Sequence, residues 1–186
     1  MFGFSRRSAV AVGITSLVAA LGELPGRALA QSPTGSAEQR LRDLGIVLPT
    51  VTAPNPAAHI VPYVKTGKLL FVSGLGPGGT APKGKVGKDL TTEDAAKLAR
   101  QTGLNILARV REAAGTLDNV ARVVKVFGMV NSTPDFIEQP TVINGCSDLF
   151  IQVFGDERGK HARSAVGMVS VGFGGVCEIE SIFELV

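Results

Sequence analysis

The chain is poor in the residues that several common catalytic and binding sites require. Among its 186 residues there is no tryptophan, one tyrosine and only two histidines. A platform for single-stranded nucleic acid depends on stacked aromatic rings, which this sequence supplies poorly. His59, His161, Cys146 and Cys177 show no spacing typical of metal ligands, so no metal site is predicted. No Gly-x-Ser-x-Gly motif occurs, and nothing beside either histidine supports a nucleophile–base pair.

Long apolar runs are also scarce, and the clearest one lies at the N-terminus. Ala9 to Leu21 follows the pair Arg6-Arg7 and precedes Ala28-Leu29-Ala30, a pattern typical of an export signal cleaved before Gln31. About a dozen apolar residues are too few to cross a bilayer, which needs roughly 20. Residues 1–30 are therefore predicted to be a signal peptide, by the general secretory or the twin-arginine route, and the protein to be periplasmic or secreted. A buried N-terminal helix or a retained membrane anchor is the alternative.

Removing this segment changes the charge. The whole chain carries a formal +3, but the first thirty residues hold three arginines and one glutamate. The remaining 156 residues carry 16 basic and 15 acidic side chains, a net charge of +1. Such a balance gives no electrostatic footprint for nucleic acid, and after cleavage no membrane partner is expected. In an oxidising compartment the two cysteines could form a disulfide or stay as two buried thiols, and the sequence leaves both open.

The cleaved chain is long enough for one domain with a full core. Residues 31–58 are predicted to be a linker with one helical turn over 38–44 and a proline-rich extended arm. Residues 59–186 are predicted to form one α+β domain in the order β-β-α-β-α-β-β, with two helices on one face of a single sheet. The predicted strands are 60–66, 69–73, 120–130 (buried on both faces), 165–171 and 176–185; the predicted helices are 92–114 and 140–154. Because the second face of such a sheet is uncovered, an oligomer is expected.

The glycine-rich loop Gly74 to Lys88 carries two motifs that suggest nucleotide binding but do not meet its requirements. Gly74, Gly76 and Gly79 match Gly-x-Gly-x-x-Gly, but no helix follows to receive a pyrophosphate. Gly79 to Lys85 nearly matches a Walker A loop, but valine stands where the Mg²⁺-binding serine or threonine is needed. No cofactor is predicted.

Several segments together resemble the RidA (YjgF/UK114, endoribonuclease L-PSP) family, from about residue 60 to the C-terminus. They are Val61–Val64 with Phe71–Gly74, Val142–Gly145, and His161–Val166 followed by Cys177–Ile182. The resemblance is closest to the branch that has a longer spacing between helix and strand and an Asn-Gly-x-Ser-Asp-Leu-Phe helix, here Asn144 to Phe150. It implies a chorismate-mutase-like fold and a homotrimer whose sheets form a central barrel. It also implies hydrolysis of reactive enamines and imines to 2-keto acids and ammonia, without cofactor, in clefts between subunits.

The same resemblance implies the site residues. Arg163 would hold the carboxylate of a small anionic metabolite, because a planar guanidinium binds it bidentately. Glu178 would position or activate a water. The pocket would be completed by Tyr63, Ser73, Gly74, Asn144 and Ala165.

Each assignment has a plainer alternative. Arg163 could pair with Glu178 or Glu180, which share one strand face; Tyr63 could simply pack, Asn144 could bond a loop, and His161 could be a loop residue rather than a base. The protein could also bind small carboxylates without turnover, and ribonuclease activity is a third possibility that comes with the family name. The sequence departs from the commonest branch at Ala165, in place of a cysteine, at Gly172–Gly175, and in the length of the loop 74–88.

Overall fold

One five-stranded sheet, covered on one face by helices, forms the core of the protein. The computed structural model describes residues 35–53, 56–57 and 59–186; the predicted export segment lies outside the described residues. The strands are β1 (Tyr63–Thr66), β2 (Leu69–Leu75), β3 (Val120–Asn131), β4 (Ala162–Met168) and β5 (Cys177–Leu185). The helices are α1 (Ala37–Asp43), α2 (Thr92–Ala114), α3 (Gln139–Phe154) and the single turn α4 (Asp156–Gly159).

The strand order β1-β2-β5-β3-β4 places β5 in the centre and β4 at one edge. All neighbours are antiparallel except β3 and β4, which are parallel because α3 and α4 connect them across the sheet. The α+β sheet with two long helices on one face is as predicted.

Local signals in the sequence fix both long helices. The Thr91 hydroxyl caps α2 by accepting a hydrogen bond from the Asp94 N–H at 3.1 Å, and Gly115 ends the helix with a φ of +80°. Helices α2 and α3 pack closely because Gly145 has no side chain: a Cβ there would lie 2.9 Å from the Ala96 carbonyl carbon. Their facing stripes include Ala99, Ile106, Val110, Val142, Cys146 and Phe150, all buried.

The face of the sheet opposite the helices stays open. In β5, Cys177, Ile179, Ser181 and Phe183 are buried under the helices, and the residues between them point the other way. This open face carries apolar side chains, among them the exposed Val64 and Phe71, together with the charged Lys125 and Glu180. The prediction that β3 is buried on both faces is therefore wrong for the single chain, since its alternate residues Lys125, Phe127 and Met129 are only half-buried.

The strand boundaries differ most from the prediction at β1 and β4, and β2 runs two residues further than predicted, to Leu75. Strand β1 begins at Tyr63 rather than residue 60, and β4 spans Ala162–Met168 rather than 165–171. The apolar run after Arg163 suggested a later start for β4, but its start is set by a long-range register in which Lys125 pairs with Ala162. The turn α4 was not predicted, because four residues are too few to show a helical period.

The segment before residue 59 contributes to the core, although it was predicted as linker and arm. Helix α1, predicted as a turn over 38–44, packs Ala37 and Leu41 against the other buried side chains. The Glu38 carboxylate accepts hydrogen bonds from the Arg111 guanidinium and from the Leu117 N–H at 3.1 Å. Burial opposes the charge of Glu38, but these hydrogen bonds outweigh it and lower the pKa of the carboxyl.

We expect Glu38→Gln to lower the free energy of unfolding by about 1–3 kcal/mol, because it removes charge-assisted hydrogen bonds that hold α1. A carboxyl whose pKa is lowered by folding stabilises the protein above its ordinary value of 4.5, and this contribution disappears as the pH falls through the folded pKa. Urea unfolding at pH 7 and pH 4 should therefore show a smaller acid-induced loss in the variant. The exposed Glu93→Gln is the control, with an expected change under about 0.5 kcal/mol at pH 7. Equal acid sensitivity in wild type and Glu38→Gln would contradict this role.

Both cysteines are free thiols buried in the core. Cys146 lies on α3, and Cys177 begins β5 with its sulfur 3.6 Å from the Thr102 hydroxyl. Burial raises the pKa of Cys146, with a further contribution from Cys177, and burial raises the pKa of Cys177 to about 11. The disulfide alternative is thus not what the fold contains.

Because folding raises both thiol pKa values, the unfolded chain loses these protons first as the pH increases. We expect the free energy of unfolding to fall above pH 9, the ordinary value for these thiols. Urea unfolding under reducing conditions at pH 8 and pH 10 would measure this slope. The double variant Cys146→Ala/Cys177→Ala should show a shallower slope, and an unchanged slope would exclude the thiols as its source.

Candidate functional site

Arg163 lies on β4, on the face of the sheet that the helices cover. Its Nη1 donates to Asn144 Oδ1 at 2.8 Å and to Ser147 Oγ at 3.1 Å, both on α3. Both hydrogens of Nη1 are therefore used, whereas Nε and Nη2 make no hydrogen bond or ion pair within the part of the chain that the structure describes. That edge of the guanidinium can donate two parallel hydrogen bonds to a carboxylate. The predicted alternative of an ion pair with Glu178 or Glu180 does not occur among the described residues.

Asn144 is close to Arg163 and contacts it through its amide oxygen. Ala165 lies two residues further along β4 on the same face, opposite Gly128 of β3. Arg163, Asn144 and Ala165 thus form one group at the β4 edge of the sheet.

Behind this group, two side chains continue the hydrogen-bonded chain. Ser147 Oγ lies 3.1 Å from His161 Nε2, and His161 Nδ1 lies 2.7 Å from the Gly159 carbonyl oxygen. His161 is in the loop between α4 and β4, and its ring meets the edge of Phe150 at 6.1 Å between centroids. Burial lowers the pKa of His161; the hydrogen bond to Gly159 opposes this and the Arg163 charge adds to it.

Glu178 belongs to a second group, on the open face of β5. Gly74 lies against its carboxyl group: a Cβ at residue 74 would lie 2.9 Å from Glu178 Cδ and closer still to Oε1. The carboxylate faces a cavity of about 460 Å³ between the loop after β2 and the glycine loop before β5. It makes no hydrogen bond or ion pair with any described residue, so its lone pairs are available to a water or a ligand.

Tyr63 and Ser73 do not line this cavity. Tyr63 pairs with Val72 on the helix-covered face and packs against the core, in agreement with the plainer alternative. The Ser73 hydroxyl donates to the Val61 carbonyl at 2.6 Å and fixes the chain that enters β1.

A single chain does not bring Arg163 and Glu178 together. They lie on opposite faces of the sheet, and β3 separates their strands, so the backbones are about 10 Å apart laterally. Along the strands, Arg163 is level with Val126, and Glu178 is level with Met129. The two groups therefore cannot act on one small molecule within one chain.

The loop 74–88, predicted as a long loop, is tethered rather than free. Val86 is fully buried, and Lys85 Nζ donates to Asn131 Oδ1 at 2.8 Å and to the carbonyls of Ser132 and Val169. At the opposite rim of the cavity, Phe173 is 98% exposed with a φ of +57°, a backbone region that non-glycine residues seldom adopt. Phe173 thus lines the same cavity as Glu178.

The described residues contain no group of three or more metal-binding side chains, and none of their helices has the length and apolarity to span a membrane.

Residues 38–185 match the model of the YjgF/chorismate mutase-like family of candidate endoribonucleases. The chain belongs to this family, which is the one called RidA above. It is 42% identical to Protein TCP17 of Trypanosoma cruzi over 155 residues, 82% of this chain and 96% of that protein. The Agrobacterium tumefaciens protein Atu1372, of unknown function, is 41% identical, with a TM-score of 0.70 over 80% of this chain and 91% of its own.

A candidate endoribonuclease from Shewanella oneidensis MR-1 is 28% identical, with a TM-score of 0.75 over 81% of this chain and 100% of its own. The chorismate-mutase-like fold expected from the sequence is thus confirmed.

Sequence reasoning missed Ser147 as a partner of Arg163. A signal for it existed, because Ser147 follows Asn144 by three residues on a predicted helix and therefore lies on the same face. His161 was noted only as a neighbour of Arg163, since no local pattern shows that its ring turns back toward α3.

Proposed function

We propose that this family member hydrolyses small 2-imino acids, and the enamines that tautomerise to them, to 2-keto acids and ammonia. The observation that carries the proposal is the guanidinium of Arg163, which is held through Nη1 and keeps its Nε and Nη2 edge available. A bidentate contact of this kind orients a planar carboxylate better than a lysine would. The substrate is then a small organic anion.

The site is proposed to be composite, built by two copies of the chain in a homotrimer. Support comes from the separation of the Arg163 and Glu178 groups on opposite faces and from the exposed apolar side chains Val64 and Phe71 on the open face, which a partner would cover. One copy would supply Arg163 and Asn144, and its neighbour would supply Glu178 in the cavity beside Gly74.

The reaction needs orientation and one proton acceptor. An imine carbon is already electrophilic, so holding a water and the imine in register provides much of the acceleration. Glu178 accepts a proton as the water oxygen bonds to the imine carbon and returns it to nitrogen, which gives a carbinolamine. The hydroxyl proton of the carbinolamine then passes by way of Glu178 to the amino nitrogen as the C–N bond breaks, which leaves ammonia and the keto group. Water is the only co-reactant. No cofactor is required by this scheme.

A second candidate function is binding of small carboxylates without turnover. It is favoured by Ala165, which stands where the commonest branch has a cysteine, and by Glu178 being the one carboxylate that lines the described cavity. In this case the Arg163 edge would hold the ligand and Glu178 would serve only as a hydrogen-bond acceptor.

One assay separates the two functions. The chain from Gln31 onward would be added to 2-iminopropanoate generated in situ, with ammonia release followed against the uncatalysed rate. Acceleration supports the hydrolase; thermal stabilisation by pyruvate without acceleration supports the binder. If pyruvate gives no stabilisation and ammonia release is not accelerated, both functions are excluded. Single-stranded RNA is tested in the same way, and its cleavage would overturn the proposal of imine hydrolysis.

The exported location is also a proposal. Fractionation of cells producing the full chain, with N-terminal sequencing of the product, would test it. A product in the cytoplasm that retains Met1 would contradict it.

A further inference from the structure

Ser147 and His161 are placed to control the orientation of Arg163, and the directions of their hydrogen bonds can be assigned. The Gly159 carbonyl can only accept, so His161 Nδ1 carries the hydrogen in that 2.7 Å bond. In the neutral ring Nε2 then has a lone pair, and it accepts the Ser147 hydroxyl hydrogen at 3.1 Å. The Ser147 oxygen in turn accepts from Arg163 Nη1, also at 3.1 Å.

The chain of donors therefore runs in one direction from the guanidinium to a backbone carbonyl. Hydrogen bonds aligned in this way polarise one another and strengthen the series. Ser147 is only 6% exposed, so water competes little for its oxygen. Burial and the positive charge of Arg163 both keep the pKa of His161 low, which maintains the neutral ring that this arrangement needs.

We propose that Ser147 and His161 are positioning residues that determine which edge of the Arg163 guanidinium faces a carboxylate ligand. This inference rests on the proposed function of Arg163. With Asn144 and Ser147 occupying both hydrogens of Nη1, rotation of the guanidinium is opposed and the Nε and Nη2 edge is left for the ligand. Without Ser147, one Nη1 hydrogen is unpaired and the side chain can turn.

The same pair has the spacing of a serine nucleophile and its base, but the burial of Ser147 and the guanidinium on its oxygen leave no room for an attacked carbonyl. The positioning role is the one that the contacts favour. Covalent labelling of Ser147 by a fluorophosphonate would overturn it.

Two substitutions of His161 distinguish its two contacts. One is the relay, the series of hydrogen bonds from Arg163 through Ser147 to His161, and the other is the bond to Gly159 that anchors the loop. In His161→Asn the side-chain amide can still donate to Gly159 but does not reach Ser147. In His161→Gln the longer amide can accept from Ser147 in place of Nε2. Pyruvate affinity, measured by calorimetry at pH 7.5, should fall about tenfold in His161→Asn and in Ser147→Ala, and stay within about threefold of wild type in His161→Gln. The exposed neighbour Asp148→Ala is the matched control and should bind normally.

The opposite ranking, with His161→Asn normal and His161→Gln impaired, would overturn the relay and leave only a loop anchor. Equal loss in both would also overturn it. Nitrogen-15 NMR adds a readout that a general structural role would not move: in wild type, His161 should show a protonated Nδ1 and an unprotonated Nε2. If Arg163→Ala binds pyruvate as well as wild type, the proposed function fails instead, whatever the His161 variants do.

Discussion

Mixed oligomers of Arg163→Ala and Glu178→Gln chains are expected to recover imine hydrolysis that neither variant has alone. Each single substitution should lower the rate by about 100-fold or more. Arg163→Ala removes the proposed carboxylate-binding group, and Glu178→Gln removes the proposed proton acceptor. When the two variants are unfolded together, refolded and assembled at equal amounts, some clefts receive an intact arginine from one copy and an intact glutamate from the next.

The size of the recovery follows from the geometry. In a cyclic trimer each cleft needs Arg163 from one subunit and Glu178 from its neighbour, and each is present in half of the chains. Random assembly therefore gives about one quarter intact sites and about one quarter of the wild-type rate. A site formed within one chain would give no recovery, because every chain would carry a damaged copy.

The controls fix the meaning of this experiment. The control is the double variant Arg163→Ala/Glu178→Gln mixed with wild type at the same subunit ratio. In that mixture a cleft is intact only where two wild-type subunits are neighbours, so no activity is recovered by combining variants. Size-exclusion chromatography of each variant must show the wild-type oligomer. Activity that stays at the level of the separate variants after mixing would refute the composite site, and a monomeric wild-type protein would refute it independently.

The sequence was sufficient to predict the elements whose signals are local. Thr91 and Gly115 mark the ends of α2, and the alternation of β5 correctly puts Glu178 and Glu180 on one face. The start of β4 and the packing of α1 could not be predicted in this way. They depend on pairing with Lys125 in β3 and on contacts of Glu38 with Arg111, residues distant in the chain.

The candidate site was predictable to a similar extent. The family resemblance named Arg163, Glu178 and Asn144. It could not show that the two charged residues lie on opposite faces, because that follows from strand order and register. Tyr63 illustrates the same limit: the family resemblance implied a pocket residue, whereas its pairing with Val72 directs it to the core.

Gly74→Ala is expected to lower imine hydrolysis by about 100-fold while leaving the fold intact. A methyl group at this position would overlap the Glu178 carboxylate, which is the end of a flexible side chain and can move away. The backbone need not shift, so the free energy of unfolding should change little. Displacing a catalytic carboxylate by about 1 Å is enough to produce a loss of this size.

The matched control is in the loop that follows β2. At Gly79 a Cβ meets no atom within 4 Å and the backbone is not in the left-handed region, so Gly79→Ala should retain wild-type activity. Pyruvate affinity should also be nearly unchanged in Gly74→Ala, since Arg163, which we propose binds the carboxylate, belongs to the other group. Loss of pyruvate binding together with activity would mean that Gly74 supports the assembly rather than Glu178. Full activity in Gly74→Ala would mean that the position of the Glu178 carboxylate does not limit the reaction.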